Sequence, residues 1–269
     1  MANLEELAAK LRDEGYSELY AEARVCQDIV LKAIETGKLN HNVTVKGGVV
    51  LRSITGSVRR ATRDLDLDFL RYPLEDTAIR RFIDALNCLD GITLRIAGEI
   101  EELSQQEYRG KRVHVTISDD TGHSFASKID LGVHKNMQIG QEEYCFDVCM
   151  DEEGASLLIN SKEQIFTEKL RSLLRFGPVS TRYKDVFDLC WLSKHVDSDR
   201  LSVCLHTYIL DDPEMRETSM DEVCARVERT FGDRTYRNNI KRSTTTNWMG
   251  LDVSEAFAQI LSFLHSFHG

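Results

Sequence analysis

Three aspartates at alternate positions are the residues of this chain whose type and spacing point most directly to chemistry: Asp64, Asp66 and Asp68. In a β-strand, alternate side chains share one face, so the three carboxylates would line up while Leu65 and Leu67 face the other way. Like charges at this spacing repel each other unless they meet open solvent or a multivalent cation. Carboxylate oxygens are the ligands that Mg²⁺ prefers, so this stretch predicts a strand that binds Mg²⁺.

Two glycines precede these acids, between a short β-branched run and an apolar, helix-like segment. Because they lack side chains, Gly47 and Gly48 would let their backbone amides approach a triphosphate closely. The basic loop that follows carries Arg59, Arg60 and Arg63. Its position directly before the acids favours contact with a phosphate of an NTP or of the molecule that accepts a transferred group. The alternative is an ordinary loop exposed to solvent.

A further acid, Asp130, lies in the alternating sequence SKIDLGV, where Lys128 and Gly132 share its face. If this strand neighbours the strand of Asp64 and Asp66, carboxylates from two strands converge at one point. That is the geometry of a two-metal phosphoryl-transfer site. Two Mg²⁺ ions roughly 3.5 to 4 Å apart would activate the attacking hydroxyl and stabilise the leaving pyrophosphate.

The spacing of apolar residues predicts the elements that must position these side chains. Strands are predicted at 43–45, 64–69, 92–96, 113–117 and 125–131, and helices at 3–37, 49–54, 75–89, 161–177, 181–192, 201–209, 219–231 and 252–267. The fold class is therefore α+β, a mixed sheet with flanking helices followed by a docked helical C-terminal half. We expect the sheet domain at 1–155 and the helical domain at 156–269, where it would complete the active site.

Composition narrows the function classes. The formal net charge of -10 argues against a surface dedicated to coating nucleic acid, but the basic clusters at 52–63 and 226–242 suit a polyphosphate or a single nucleic-acid end. No apolar run is long enough to cross a bilayer, and the N-terminal stretch does not resemble a signal peptide. Seven scattered cysteines without a CxxC pair indicate reduced thiols in a cytoplasmic protein and no structural metal.

Two blocks of the sequence, KGGVVLRSITGSVRRATRDLDLDF and EQIFTEKLRSLLRFGPVSTRYKDVFDL, carry a resemblance to a known family. In order, spacing and chemistry they resemble the motifs of the AbiEii/AbiGii toxin family, MenT-like nucleotidyltransferases of the DNA polymerase β-type superfamily. The resemblance implies a nucleotidyltransferase fold and transfer of a nucleotide from an NTP to an acceptor, with Mg²⁺ as cofactor. It also implies a toxin of a toxin–antitoxin or phage-defence system, with an RNA (tRNA) 3′ end as acceptor and a cognate antitoxin as partner. We expect a monomer.

The resemblance also assigns roles to residues. Its catalytic residues are Asp64, Asp66, Asp130, Lys169 and Asp185, and its nucleotide-binding residues are Lys46, Gly47, Gly48, Arg63, Lys169 and Lys184. Metal would be bound by Asp64, Asp66 and Asp130, of which Asp130 is the general base. Lys169 would neutralise the NTP phosphates. Asp68 is an extra acid, so a metal pair of Asp66 and Asp68 stays an open register alternative.

Other interpretations remain open at this stage. The alternating aspartates could form a solvated face, Lys169 could belong to a solvent-facing stripe, and Asp185 could pair along its own helix. Trp248, after a basic, hydroxyl-rich loop, could stack on a terminal RNA base or pack in the core. Nucleotidyl transfer to a protein or a small molecule, or a nucleotide-binding protein without turnover, are the alternative functions.

Overall fold

The chain divides into two compact units, Met1–Asn160 and Ser161–Gly269. The computed structural model describes residues 3–103, 110–134 and 139–267. Within these ranges the first unit combines a mixed sheet with helices and the second unit is helical. The predicted α+β class, a mixed sheet followed by a helical half, is confirmed.

The first unit is organised around its sheet. Its helices are α1 (Leu4–Asp13), α2 (Glu18–Thr36), α3 (Gly47–Thr55) and α4 (Asp76–Ala85). Its strands are β1 (Val43–Lys46), β2 (Leu65–Phe69), β3 (Ile92–Ile96), β4 (Glu101–Leu103), β5 (Gly110–Asp119), β6 (Ser124–Val133), β7 (Glu142–Phe146) and β8 (Ala155–Ile159). Among the described residues the strand order is β3-β5-β6-β2-β1-β8-β7, and β4 pairs with β5.

Strand β2 lies at the centre of this sheet, antiparallel to β1 and parallel to β6. Leu65, Leu67 and Phe69 are all buried, and the ring of Phe69 meets the edge of Phe82 from α4 at 5.1 Å between centroids. One face of β2 is therefore apolar. The alternation that the sequence predicts leaves the aspartates on the opposite face.

The second unit consists of α5 (Lys162–Phe176), α6 (Tyr183–Leu192), α7 (Ser198–Leu205), α8 (Met220–Gly232), α9 (Arg234–Arg242) and α10 (Val253–His265). A π-helical turn, His206–Leu210, extends α7. The cap predicted for α5 is present, since the Ser161 hydroxyl accepts a hydrogen bond from the Gln164 backbone N–H at 3.2 Å. The Gln164 side chain instead donates to Glu168, so only half of the capping box forms.

Four elements were not predicted from the pattern of apolar residues: the strands β4, β7 and β8 and the helix α9. The strands β4 and β7 were not predicted, because most of their side chains are exposed or half-buried and give no apolar alternation. The first part of the basic loop expected before Trp248 lies in α9 (Arg234–Arg242). This helix buries only Tyr236 and Ile240, too few apolar residues to set a visible period.

In the described part of the chain, no helix has the length and apolar character that crossing a bilayer needs.

Candidate active site

Two of the predicted site carboxylates lie side by side at the centre of the sheet. In the parallel pair of β2 and β6, Asp66 and Asp130 occupy the same register position, which brings their strands to the usual separation of about 4.8 Å. Asp130 is buried and Asp66 is half-buried. The sheet thus provides the neighbouring strands that the site prediction requires.

Asp130 is held by Arg112 of β5, its direct partner in the antiparallel β5–β6 pair. The guanidinium donates from Nε to Oδ1 and from Nη2 to Oδ2, both at 2.8 Å. Two parallel hydrogen bonds of this kind are a strong, directional form of carboxylate binding, and they are the main reason that the pKa of Arg112 is raised. The sequence analysis missed Arg112, because its partner depends on a strand register that no local pattern reveals.

Lysines pair with the other two aspartates of this region. Lys128 Nζ lies 2.8 Å from Asp64 Oδ1, and Lys46 Nζ lies 2.7 Å from Asp68 Oδ1. A Cβ atom on Gly132 would come within 2.2 Å of Asp68 Oδ1, so glycine is required there for the carboxylate to fit. Lys46, a predicted nucleotide-binding residue, thus neutralises a buried acid in this structure.

The predicted phosphate-binding glycines form the first turn of α3. Gly47 has a φ of +65°, and a Cβ atom there would lie 2.6 Å from Asp66 Oδ2. A Cβ atom on Gly48 would lie 2.6 Å from Thr62 Oγ1. Within the described residues no side chain caps this end of α3. The first backbone N–H groups of a helix attract anions, so α3 begins beside Asp66 with the means to bind a phosphate.

The basic loop before β2 divides into two kinds of arginine. Arg59 and Arg63 are exposed, whereas Arg60 is 2% exposed. Contact with a substrate phosphate is therefore open to Arg59 and Arg63 and closed to Arg60 as the loop stands.

The carboxylate oxygens of Asp66 and Asp130 suit Mg²⁺ as a donor set, because this ion is commonly bound by one or two carboxylates together with water and substrate phosphates. The space that a Cβ atom on Gly47 would fill lies directly against Asp66. In the described ranges, no three Asp, Glu, His or Cys side chains form a group that could hold a metal. The structure therefore does not gather Asp64 with the other two as a ready three-ligand set, and the residues present fit a two-carboxylate site.

The helical unit brings together two other predicted residues. Lys169 of α5 forms ion pairs with Asp185 and with Asp188, both on α6, the second at 2.9 Å. Asp188 also accepts a hydrogen bond from Trp248 Nε1 at 2.9 Å. The side chain of Lys169 is 12% exposed and that of Asp188 is fully buried, so Lys169 does not belong to a solvent-facing stripe. Lys184 is half-buried beside Asp185 on α6.

Neighbouring carboxylates on two central strands, beside a helix that begins with glycines, are the arrangement of an enzyme that transfers phosphate-bearing groups. Residues 29–260 match the family described as Nucleotidyl transferase AbiEii toxin, Type IV TA system. The chain belongs to this family and is a nucleotidyltransferase, so the predicted family and enzyme class are confirmed.

Two further comparisons concern individual proteins. No curated protein gave a significant match to the sequence. Among solved structures, the chain is similar to an antigenic nucleotidyltransferase-like protein from Paracoccidioides brasiliensis, with 13% sequence identity and a TM-score of 0.43 over 75% of this chain and 93% of that chain.

Proposed function

We propose that this nucleotidyltransferase is the toxin of a toxin–antitoxin pair and uses Mg²⁺ to transfer a nucleotide from an NTP to the 3′ end of an RNA, with tRNA as the acceptor. The observation that carries the transfer chemistry is the pairing of Asp66 with Asp130 next to the uncapped start of α3. Membership of a type IV toxin family supports the toxin role and an antitoxin partner.

The NTP phosphates would bind at the first turn of α3, where Gly47 and Gly48 have no side chains of their own and no side chain in the described ranges caps the helix. Asp66 and Asp130 would hold Mg²⁺. When bound, the ion would neutralise the phosphates and favour loss of the proton from the attacking hydroxyl. Exposed Arg63 would add a further phosphate contact from the loop before β2.

Asp130 is proposed as the base that accepts the proton of the acceptor hydroxyl. Both of its oxygens are hydrogen-bonded to Arg112, and a carboxylate can accept a proton only with a free lone pair. Each carboxylate oxygen has two lone pairs, so Asp130 can accept the proton while both hydrogen bonds from Arg112 remain in place. Asp64, whose side chain is 44% exposed and pairs with Lys128 through Oδ1, would contribute a metal ligand through the lone pairs that this ion pair leaves available.

Lys169 and Asp185 stay predicted catalytic residues. In the helical unit the ammonium of Lys169 is already compensated by two carboxylates. Contact between Lys169 and a phosphate would then require Asp185, the more exposed of the two acids, to exchange its ion pair for the substrate.

The test is a labelling experiment with the full chain, Mg²⁺, each radiolabelled NTP in turn, and a mixture of total RNA and protein from cells. We expect label on RNA of tRNA size, and we expect it to disappear in Asp66→Ala. Asp84→Ala, which removes an exposed acid on α4, is the matched control and should label as the wild type does.

The other outcomes are equally informative. Label on protein would replace the RNA acceptor by a protein side chain, and label on neither would leave a nucleotide-binding protein without turnover. Label that persists in the presence of EDTA would contradict the requirement for Mg²⁺.

A further inference from the structure

The helical unit contains a cavity of about 480 Å³ that none of the predicted site residues lines. Its walls come from the C-terminal turn of α5, from α8, and from the segment 214–217. The volume lies within the range of about 300 to 1,000 Å³ that small-molecule sites occupy. The cavity lies in the part of the chain that includes the basic cluster at 226–242, so the charge of its walls decides which ligands it can bind.

Four arginines line this cavity: Arg175, Arg216, Arg226 and Arg229. Arg175, Arg216 and Arg229 are exposed, and none of the ion pairs between described residues includes them. Guanidinium groups donate hydrogen bonds in a fork that matches phosphate oxygens, and they remain charged at any physiological pH. The arginines therefore form a wall suited to a phosphate group.

One of these arginines is fixed in place by its surroundings. Arg226 donates from Nε to the carbonyl oxygen of Leu174 at 3.1 Å. A Cβ atom on Gly177, which has a φ of +53°, would come within 2.7 Å of Arg226 Nη2. The guanidinium thus lies against bare backbone on one side, and its orientation is set before any ligand arrives.

The cavity also contains a buried acid. Glu217 is only 9% exposed, and the described structure gives it no hydrogen bond or ion pair. The other two acids of the wall have partners, since Glu214 pairs with Arg171 at 3.3 Å and Glu222 accepts from the Thr218 backbone N–H at 2.7 Å. The carboxylate oxygens of Glu217 are not among the fully buried side-chain atoms that lack a hydrogen-bond partner, so a ligand in the cavity can reach them. Glu217 therefore favours a ligand that brings N–H groups as well as a phosphate.

We propose that this cavity binds a nucleotide, with its phosphate at the arginines and the N–H edge of its base at Glu217. A carboxylate is an acceptor only, and guanine presents two adjacent donors, N1–H and the N2 amino group, so a guanine nucleotide matches best. An acidic peptide would satisfy the arginines but would be repelled by Glu217. The nucleotide can be free or a unit of an RNA chain, because both present the same groups.

Calorimetric titration of the full chain with GMP, AMP and inorganic phosphate, in EDTA, tests the proposal. We expect GMP to bind more tightly than AMP. Arg216→Ala combined with Arg229→Ala should weaken the binding of GMP and of phosphate at least about tenfold, because both ligands lose charged hydrogen-bond donors. Glu217→Gln should weaken GMP while phosphate binding stays equal or tightens. Arg81→Ala, which removes an exposed arginine from α4, is the charge-matched control.

A second titration with a short guanine-containing RNA distinguishes the two sources. RNA that binds more tightly than GMP and loses affinity in the same variants identifies an RNA-borne nucleotide, and GMP alone identifies a free one. Unchanged GMP affinity in the double arginine variant would overturn the proposal. So would GMP binding that is lost in Asp66→Ala and kept in the double variant, since that would assign the nucleotide to β2. Loss of phosphate binding in Glu217→Gln would contradict the role of Glu217.

Discussion

The sheet of the first unit and the helices of the second unit neutralise their aspartates in opposite ways. At the candidate site of the sheet, three acids pair with three different cations: Asp64 with Lys128, Asp68 with Lys46, and Asp130 with Arg112. In the helical unit one cation, Lys169, serves the two acids of α6. Where a carboxylate pairs with a cation that is not shared with a second acid, that cation can be replaced by another of equal charge without leaving a net charge behind. A buried cation that is shared by two acids cannot leave without depriving both carboxylates of their positive partner.

Trp248 adds to the difference between the Lys169 cluster and the ion pairs of the sheet. Its indole is 7% exposed and its N–H donates to Asp188, so it packs in the core and is not free to stack on an RNA base. The packed alternative from the sequence analysis is the one the structure supports. Through Asp188 the Lys169 cluster is thus also hydrogen-bonded to a buried core residue, whereas the ion pairs of the sheet lie on the face where catalysis is proposed.

The largest effect is expected from removing the shared cation. Lys169→Ala leaves a fully buried carboxylate, Asp188, without its ammonium partner, and breaking a buried ion pair typically costs about 3 to 5 kcal/mol. Lys46→Ala removes the ion pair of Asp68, whose side chain keeps 8% exposure, and should cost less. The free energy of unfolding from urea titration measures both. Equal losses in the two variants would contradict the comparison, and Asp188→Asn in the Lys169→Ala background should restore part of the stability.

Next in size is the effect of a single methyl group beside Asp66. Gly47→Ala should lower nucleotidyl transfer by roughly 10²-fold, the scale seen when one catalytic contact is misplaced, because its Cβ atom would push Asp66 out of position. Gly56→Ala is the matched control, since Gly56 has a nearly equal φ of +61° and open space around it. Both variants should lose a similar stability, about 1 to 2 kcal/mol. Equal transfer rates in the two would refute the role of Gly47.

A smaller effect concerns a carboxylate that relies on N–H donors. Burial opposes ionisation of Asp119, but hydrogen bonds from the Leu4 N–H, the Thr121 hydroxyl and the N–H groups of His123 and Thr121 outweigh it and lower its pKa to about 2. Its stabilising effect is therefore present above the unfolded-state pKa of about 3.9 and is lost as pH falls toward 2. Asp119→Ala should cost about 1 to 3 kcal/mol at pH 7.

The measurement for Asp119 is urea unfolding at several pH values. The gap between wild type and Asp119→Ala should narrow from pH 4 downward, and exposed Asp120→Ala should show no such trend. A gap that widens in acid would contradict the lowered pKa.

The smallest effect is expected at the cation that competes for Asp130. Arg112→Ala removes a positive charge and both of its hydrogen bonds from Asp130, so Mg²⁺ no longer competes with a cation for this carboxylate, and its affinity should rise about tenfold, or 1.4 kcal/mol. The rise in melting temperature with added Mg²⁺ reports this affinity without any turnover. Arg112→Lys keeps the charge and should change it less. Weaker Mg²⁺ binding in Arg112→Ala would show that Arg112 supports the site.

The active-site residues that sequence reasoning anticipated are those with local patterns. The alternation of Leu65, Asp66 and Leu67 predicts a strand with one acidic face, and the structure has that strand. The Gly-Gly pair predicts a close backbone approach, and Gly47 is the residue whose Cβ atom would meet Asp66. Such features depend only on residue order and on the period of a strand or helix.

The partners of these residues could not be read in the same way. Arg112, Lys128 and Trp248 approach Asp130, Asp64 and Asp188 across intervals of 18, 64 and 60 residues. Arg60 shows the same limit, since it belongs to a basic loop by sequence but is buried in the structure.

Most of the elements, the family motifs and the chemical character of the site could be predicted from the sequence, because strand alternation, helix capping and glycine backbone freedom are local properties. Which cation neutralises which acid could be seen only in the folded chain, because that choice depends on strand register and helix packing. The separate cations at the candidate site of the sheet, the shared Lys169 of the helices and the arginine cavity around Glu217 all depend on tertiary packing.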